Sequence, residues 1–202
     1  MDCDQVDAAE HAARRRPFCA KCFQRGNSTV LDAANYSAVE TLRNGRRVEI
    51  RALRPDDRDE YLTAVGRAGP QSLYRRFFGA KRHFTETEIR FFVNVDFITH
   101  VALVAVTEVD GRPVIVGGGR YVVSAPGTGE LAFMVLDGYQ GQGIGAALMR
   151  HLAVIARAAG LRELTAEVLP NNKAMLQVLE KSGLRYGSKR EAGSTHVTLQ
   201  LN

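Results

Sequence analysis

The sequence predicts a mixed α/β (α+β) domain: a mostly antiparallel central sheet flanked by helices. Three observations carry this. Apolar residues alternate with charged ones at Val48, Ile50 and Ala52, which is the period of a half-buried strand. Three further strand-like runs follow one another between His100 and Leu136, separated by tight-turn signals. After Leu136, strand-like runs alternate with segments of helical period. The 202 residues suit one domain with a tail. The expected division is an N-terminal extension over 1–45, partly flexible, and a domain over 46–202.

The elements follow in order. The extension has Ala-rich and Arg-rich patches and few large apolar residues; a helix over Val6–Arg16 would stop at Pro17. The first strand starts at Arg47. Pro55 opens a helix whose Asp56, Asp57, Asp59 and Glu60 face its positive end. A second helix spans Gln71–Phe78. Thr85-Glu86-Thr87-Glu88 is a capping-box pattern and starts a third. His100–Val106, continuing toward Val109, is a valine-rich strand, and Asp110-Gly111 turns it back. Val114–Val123 is the return strand, slackened by Gly117-Gly118-Gly119, and Glu130–Leu136 completes the meander. Ile144–Ala159 is a long helix with Leu148, Leu152, Ile155 and Ala156 on one face, capped by Gly160. Leu164–Leu169 is a strand, Asn172–Ser182 a helix, and Leu184–Tyr186 and His196–Leu201 are the final strands.

Composition narrows the function. No apolar run approaches the roughly 18 residues of a membrane span; the best, Val101–Val106, ends at Thr107-Glu108. The acidic start, Met1-Asp2-Cys3-Asp4, is no secretory signal. Three cysteines, an odd count, argue against a disulfide scaffold and for a reducing compartment, the cytoplasm. Lys and Arg number 27 against 22 Asp and Glu, a net charge of +5, and +4 of it falls after Arg46.

The most informative stretch is Gln140-Gly141-Gln142-Gly143-Ile144-Gly145-Ala146, between a strand and a long helix. Its glycines bring backbone N–H groups close to a ligand, and the helix start adds unpaired donors and a positive dipole end, a combination that suits phosphate. Gly141-x-Gly143-x-x-Ala146, with Glu167 about 20 residues on, also fits a dinucleotide fingerprint. That fold needs several parallel βαβ units, whereas an antiparallel meander precedes this loop. No Gly-Lys-Ser/Thr occurs, so a Walker loop is excluded.

Gln140-x-x-Gly143-x-Gly145, with the Glu130–Val135 strand before it and Asn172 behind, resembles the acyl-CoA pyrophosphate motif of the GNAT superfamily of N-acetyltransferases. The resemblance covers roughly Val48 to Leu201. Ser72–Phe78, Asn94–Phe97 and His100–Ala105 are similar to the catalytic domain of bacterial Pat-type protein lysine acetyltransferases, which act on acyl-CoA synthetases. Many of those carry an additional effector-binding domain, for which this chain is too short.

The resemblance implies the GNAT fold, with the sheet splayed between Glu130–Leu136 and Leu164–Leu169, and acetyl-CoA as acyl donor. The implied reaction is acetyl transfer to a primary amine, foremost a protein lysine, with a small-molecule amine or a non-catalytic acyl-CoA sensor as alternatives. Backbone at Val135 and Leu136 pairs with the pantetheine arm, and an N–H near Val135 polarises the thioester carbonyl. Gln140, Gly141, Gln142, Gly143, Ile144, Gly145 and Ala146 hold the pyrophosphate, and Asn172 bonds the pantetheine or caps its helix. Glu130 is the general base, taking the proton of an amine that is charged at neutral pH; Glu167 is the second candidate. The tyrosine that many members use as general acid is replaced by Leu179. His100 and His151 are read as structural or surface residues.

Two constellations remain. Arg67–Arg82 holds five basic residues and no acid, interleaved with Tyr74, Phe77 and Phe78. Helical spacing puts the three aromatics on a core face and directs Arg75 and Arg76 elsewhere. The basic face then selects an acidic protein surface, such as that of an acyl-CoA synthetase, rather than nucleic acid. Cys19-x-x-Cys22 with Cys3 and His11 is a weak zinc motif, and no metal is expected. Oligomeric state is open between monomer and homodimer.

Overall fold

A computed structural model describes residues 31–81, 83–191 and 193–201. The strands are β1 (Ser37–Thr41), β2 (Arg47–Ala52), β3 (His100–Val109), β4 (Arg112–Ala125), β5 (Thr128–Val135), β6 (Glu163–Val168), β7 (Arg185–Glu191) and β8 (Ser194–Gln200). The helices are α1 (Arg58–Arg67), α2 (Pro70–Phe77), α3 (Glu86–Val93), α4 (Ile144–Ala158) and α5 (Lys173–Glu180). The strands form one sheet in the order β1-β2-β3-β4-β5-β6-β8-β7. Every neighbouring pair is antiparallel except β5 and β6, which run parallel. The architecture is the expected mixed α/β sheet.

Each face of the sheet has its own core. On one, α4 buries Ile144, Leu148, Leu152 and Ile155 against Val101, Leu103 and Ala105 of β3 and Leu131 of β5. Each such side chain contributes roughly 1.5–3 kcal/mol of burial. On the other, Ala64 and Ala68 from the α1 side meet Ala102, Val104, Ile115 and Leu136. Alternation along β3 makes this division: odd-numbered positions face α4 and even-numbered ones face α1.

The sheet begins upstream of position 46, inside the stretch assigned to the extension. β1 pairs with β2 from Ser37↔Arg51 to Thr41↔Arg47. None of its residues is buried, so it lacks the apolar alternation by which a strand is read. It is held from behind: the Tyr36 hydroxyl bonds His151 Nδ1, and His151 Nε2 lies 2.9 Å from Glu40 of β1. The helix expected over Val6–Arg16 lies outside the described residues, as do Cys3, His11, Cys19 and Cys22.

The helix starts follow local rules. Thr85 Oγ1 accepts from Glu88 N at 3.2 Å while Glu88 accepts from Thr85 N at 2.8 Å, closing the capping box of α3. Before α1, Asp57 does more than face the helix dipole. It accepts from Arg54 N at 2.7 Å and takes both ends of the buried Arg51 guanidinium at 2.6 and 2.8 Å. Burial works against the charged carboxylate, but these bonds outweigh it and hold the Asp57 carboxyl below its usual range.

Removing one partner leaves the other charge buried and unpaired. Asp57→Asn is therefore expected to lower unfolding stability by about 3 kcal/mol, seen as a lower urea midpoint at unchanged slope.

Candidate active site

β5 and β6 are paired at only three positions: Thr128↔Glu163, Gly129↔Leu164 and Glu130↔Thr165. Beyond them β5 stays with β4 as far as Gly117↔Val135, and β6 stays with β8 as far as Val168↔Thr195. The two strands part, and the gap is edged by backbone without a strand partner. Leu136 N–H donates to Val116 O at 2.9 Å, on the β4 side. By alternation, Phe133 and Val135 aim their N–H and C=O groups into the gap.

The glycine loop closes the wide end of this gap. Gly141 has φ 73° and Gly143 φ 101°, a backbone that side-chain-bearing residues rarely adopt. A Cβ on either would meet no atom within 4 Å, so backbone conformation, not crowding, calls for glycine here. Gly143 is the N-cap of α4 and no side chain caps it. The first helical bond runs from Ala147 N to Gly143 O at 3.0 Å. The N–H groups of Ile144, Gly145 and Ala146 therefore have no carbonyl partner within the helix, and no acidic residue lies in the first turn. This donor set fits the pyrophosphate of acetyl-CoA.

Three sequence readings at this end change. Gln140 does not offer its side-chain amide to a ligand. Its Nε2 donates to Val135 O at 2.9 Å, Asp137 Oδ1 at 3.0 Å and Ser72 Oγ at 3.1 Å, bracing the loop against α2. Gln142 donates to Gly138 O at 3.0 Å and accepts from Asn44 at 2.9 Å, so its side chain is internal as well. Leu136 cannot pair with a pantetheine arm, because its N–H bonds Val116 and its C=O accepts from Tyr139 N at 2.8 Å. Val135 does face the gap, with its carbonyl held by Gln140. Asn172 caps α5 by accepting from Met175 N at 3.3 Å. Leu179 is fully buried in the core.

Glu130 occupies the last paired position, where β5 and β6 part. It is exposed and has no hydrogen bond or ion pair among the described residues. Its parity with Ala132 and Met134 puts it on the α1–α3 face. Glu167 shares that face but is engaged: it accepts from Ser194 Oγ at 2.7 Å and lies 2.6 Å from His196 Nδ1. Of the two carboxylates, only Glu130 is without a hydrogen bond; it acts on the Arg76 guanidinium through space.

The basic stretch is arranged differently from its helical reading. Tyr74 is 47% exposed and Phe78 39%. The inward face of α2 is Leu73, Arg76 and Phe77, with Leu73 on the α1-side core and Phe77 packed edge-on against Phe84 and Phe92. Arg67 pairs with Glu60 at 3.8 Å and Lys81 with Glu88, so acids from neighbouring segments neutralise part of the stretch. Arg82 lies outside the described residues. Arg76 points into a cavity that also takes Tyr61, Gly118, Arg120, Ala132 and Met134.

Arg120 is 5% exposed; it donates to Phe92 O at 3.2 Å, to His100 Nε2 at 3.0 Å and to Tyr61 Oη at 2.9 Å. His100 stacks on Phe91 with ring centroids 4.8 Å apart. Burial and the Arg120 charge push its pKa down to about 3, so it stays neutral and Nε2 accepts. Arg76 and Ser72 of α2, Arg120 of β4 and Asp137 before the glycine loop come from three separate segments with no shared motif. The β1–β2 turn was also not anticipated at the loop, where Arg46 lies over the Tyr139 ring, 5.4 Å from its centroid.

A parted strand pair ending at a helix N-terminus with a glycine loop defines a class: acyltransferases that take a thioester donor as an additional strand. The family model of the acetyltransferase (GNAT) family matches residues 68–184, and the chain belongs to that family. An acetyltransferase of Pseudomonas aeruginosa is 35% identical over 164 residues, 81% of this chain and 88% of that protein. The acetyltransferase Pat of Mycolicibacterium smegmatis is 33% identical over 144 residues, 70% of this chain; the match spans 42% of Pat. The crystal structure of the GNAT domain of S. lividans PAT is similar with TM-score 0.74 and 30% identity, covering 81% of this chain and 96% of that one. The protein is thus an acetyltransferase with acetyl-CoA as its acyl donor.

Two outcomes follow from this geometry. Gly143→Ala places a side chain on a left-handed backbone, a cost of about 1–2 kcal/mol. It should weaken acetyl-CoA binding by roughly 10-fold in calorimetry, following the loss of aligned N–H groups. His100 ties stability to pH. Its folded pKa lies below the 6.5 of the unfolded chain, so on acidification the unfolded chain takes up a proton that the native state refuses. Stability should fall by roughly 1 kcal/mol per pH unit below about pH 6.5. His100→Gln should flatten that slope in urea titrations between about pH 7 and pH 5, above the carboxylate range.

Proposed function

We propose that the protein acetylates a primary amine, foremost a protein lysine ε-amine, by direct attack on the donor with Glu130 as general base. One observation carries this: the Glu130 carboxylate has no hydrogen bond or ion pair among the described residues and stands where β5 and β6 begin to part. When bound, acetyl-CoA would supply the thioester, whose acetyl carbon gains the bond to the amine nitrogen as the bond to sulfur breaks and the thiolate leaves. The chain's own residues do the rest. Unpaired N–H groups at the start of α4 hold the phosphates. The Val135 N–H faces the gap as a donor for the carbonyl oxygen, where charge develops during attack. Glu130 takes the proton from the incoming ammonium.

An acyl-CoA synthetase is the proposed acceptor protein, supported by the similarity to Pat of M. smegmatis, of which this chain spans less than half. The odd number of cysteines supports a reducing, cytoplasmic location.

Glu130→Gln keeps the shape and removes the base. Turnover should drop by about 10²–10⁴-fold while acetyl-CoA affinity stays the same. Unchanged turnover would rule out Glu130 as the base. Acetylation of candidate acyl-CoA synthetases beside small amines identifies the acceptor; turnover of small amines alone assigns the activity to small molecules.

A further inference from the structure

We propose that the cavity beneath α1 and α2 is a carboxylate pocket, in which Arg76 and Arg120 grip an acidic group carried by the acceptor beside its amine. This rests on acetyl transfer at Glu130 and adds to it the chemical class of the acceptor.

The first argument is the phase of α2. An inward position of an amphipathic helix is held by arginine, between Leu73 and Phe77. Arg76 is half-buried, and burial is the largest influence on its guanidinium, with the like charge of Arg120 next. Together they lower its pKa to about 10, so it remains charged. It has no hydrogen bond or ion pair among the described residues; its guanidinium lies 5.0 Å from the Phe77 ring, and Tyr61 and Glu130 favour its charge through space, more weakly than burial and Arg120 oppose it.

The second argument is the character of Arg120's partners. They are a backbone carbonyl, a neutral imidazole and a phenol, none of which carries a compensating charge. Two guanidinium ions thus share a cavity in which no carboxylate bonds either of them; Glu130 acts on Arg76 only through space, and the arrangement is costly unless an anion completes it. Arg120 is tied in place by its three bonds, whereas the Arg76 fork is free. A planar carboxylate matches such a fork with two parallel bonds.

The third argument is position. Arg120 lies opposite Ala132, and Val122 lies opposite Glu130, on one face of the sheet. The pocket is therefore two residues along β5 from the base, about 7 Å. Glycine at 118, where a Cβ would point toward Tyr61, and alanine at 132 keep its sheet wall low. An acceptor with an amine at Glu130 and an acid a few bonds away meets both. A lysine flanked by an acidic side chain has this form, and so does a free amino acid.

The test has a binding arm and a turnover arm. In the first, glutarate, glutaramide and inorganic phosphate are titrated into the acetyl-CoA-bound protein and melting temperature is followed. Glutarate should raise it in the wild type and not in Arg76→Met, with Arg76→Lys intermediate; acetyl-CoA binding by all three proteins shows that they are folded. No glutarate effect, an equal effect in Arg76→Met, or an equal Arg76-dependent effect of phosphate overturns the carboxylate assignment. This arm needs no turnover, so it stands even where no acetylation is found and the reading of Glu130 fails.

In the second arm, lysine peptides with a neighbouring Glu or Gln are compared, and so are free amino acids and their amides. Loss of the negative charge should lower kcat/KM by about 10–100-fold in one of the two pairs, which identifies the source of the carboxylate. Arg76→Met should abolish that difference. Amines that turn over equally well with and without the carboxylate overturn the proposal and leave the acetyltransferase reading intact.

Discussion

The parting of β5 from β6 is the constraint on which the site depends. A strand that leaves its neighbour exposes N–H and C=O groups that a folded chain must satisfy with something. Here the two strands separate after Glu130↔Thr165, and each remains bound on its other side, β5 to β4 and β6 to β8. The sheet therefore stays intact while an opening forms inside it. The loop at Gly141–Gly143 and the start of α4 lie where that opening is widest, and Glu130 where it is narrowest. An elongated donor with phosphates at one end and a reactive thioester at the other matches this order of parts.

The opening has two differently built walls. On the α4 side it is backed by aliphatic side chains that fix the helix start and hence the direction of its free N–H groups. On the α1–α3 side the backing is polar: Arg120, His100 and Tyr61 are linked by hydrogen bonds beneath helices that do not bury it with aliphatic packing alone. Asp137 joins the two ends. It accepts from Gly69 N at 2.9 Å, from Ser72 and from Gln140, so the start of α2 and the glycine loop share one carboxylate. A shift of α2 is thereby felt by the glycine loop.

Much of this was legible in the sequence. The valine-rich run from His100, the Asp110-Gly111 turn and the helical period after Gly143 each rest on near-neighbour chemistry, and each element formed within a residue or two of its expected bounds. The capping box at Thr85 closed as its spacing required. Other elements were not legible, for identifiable reasons. β1 buries none of its residues fully and puts Glu40 on its inner face, so it carries no apolar alternation. In the short helix α2 the aromatic residues dominate the sequence pattern, yet only Phe77 of the three turns inward, beside Arg76. Gln140 matched a ligand-binding motif, but its amide is engaged by Ser72, which is distant in sequence.

The amino-acid sequence by itself determined the local elements, the glycine loop and its join to a helix, and the presence of a carboxylate on the strand before it. These follow from backbone preference and hydrophobic period, which act over a few residues. Only the tertiary structure decided which carboxylate is left without a hydrogen bond. Glu130 and Glu167 look alike in the chain, and Glu167 is engaged because β8 brings Ser194 and His196 beside it. The tertiary structure likewise decided that Arg76 faces Arg120 across a cavity instead of solvent. Charge pairing depends on contacts between segments far apart in the chain, and no local pattern encodes them.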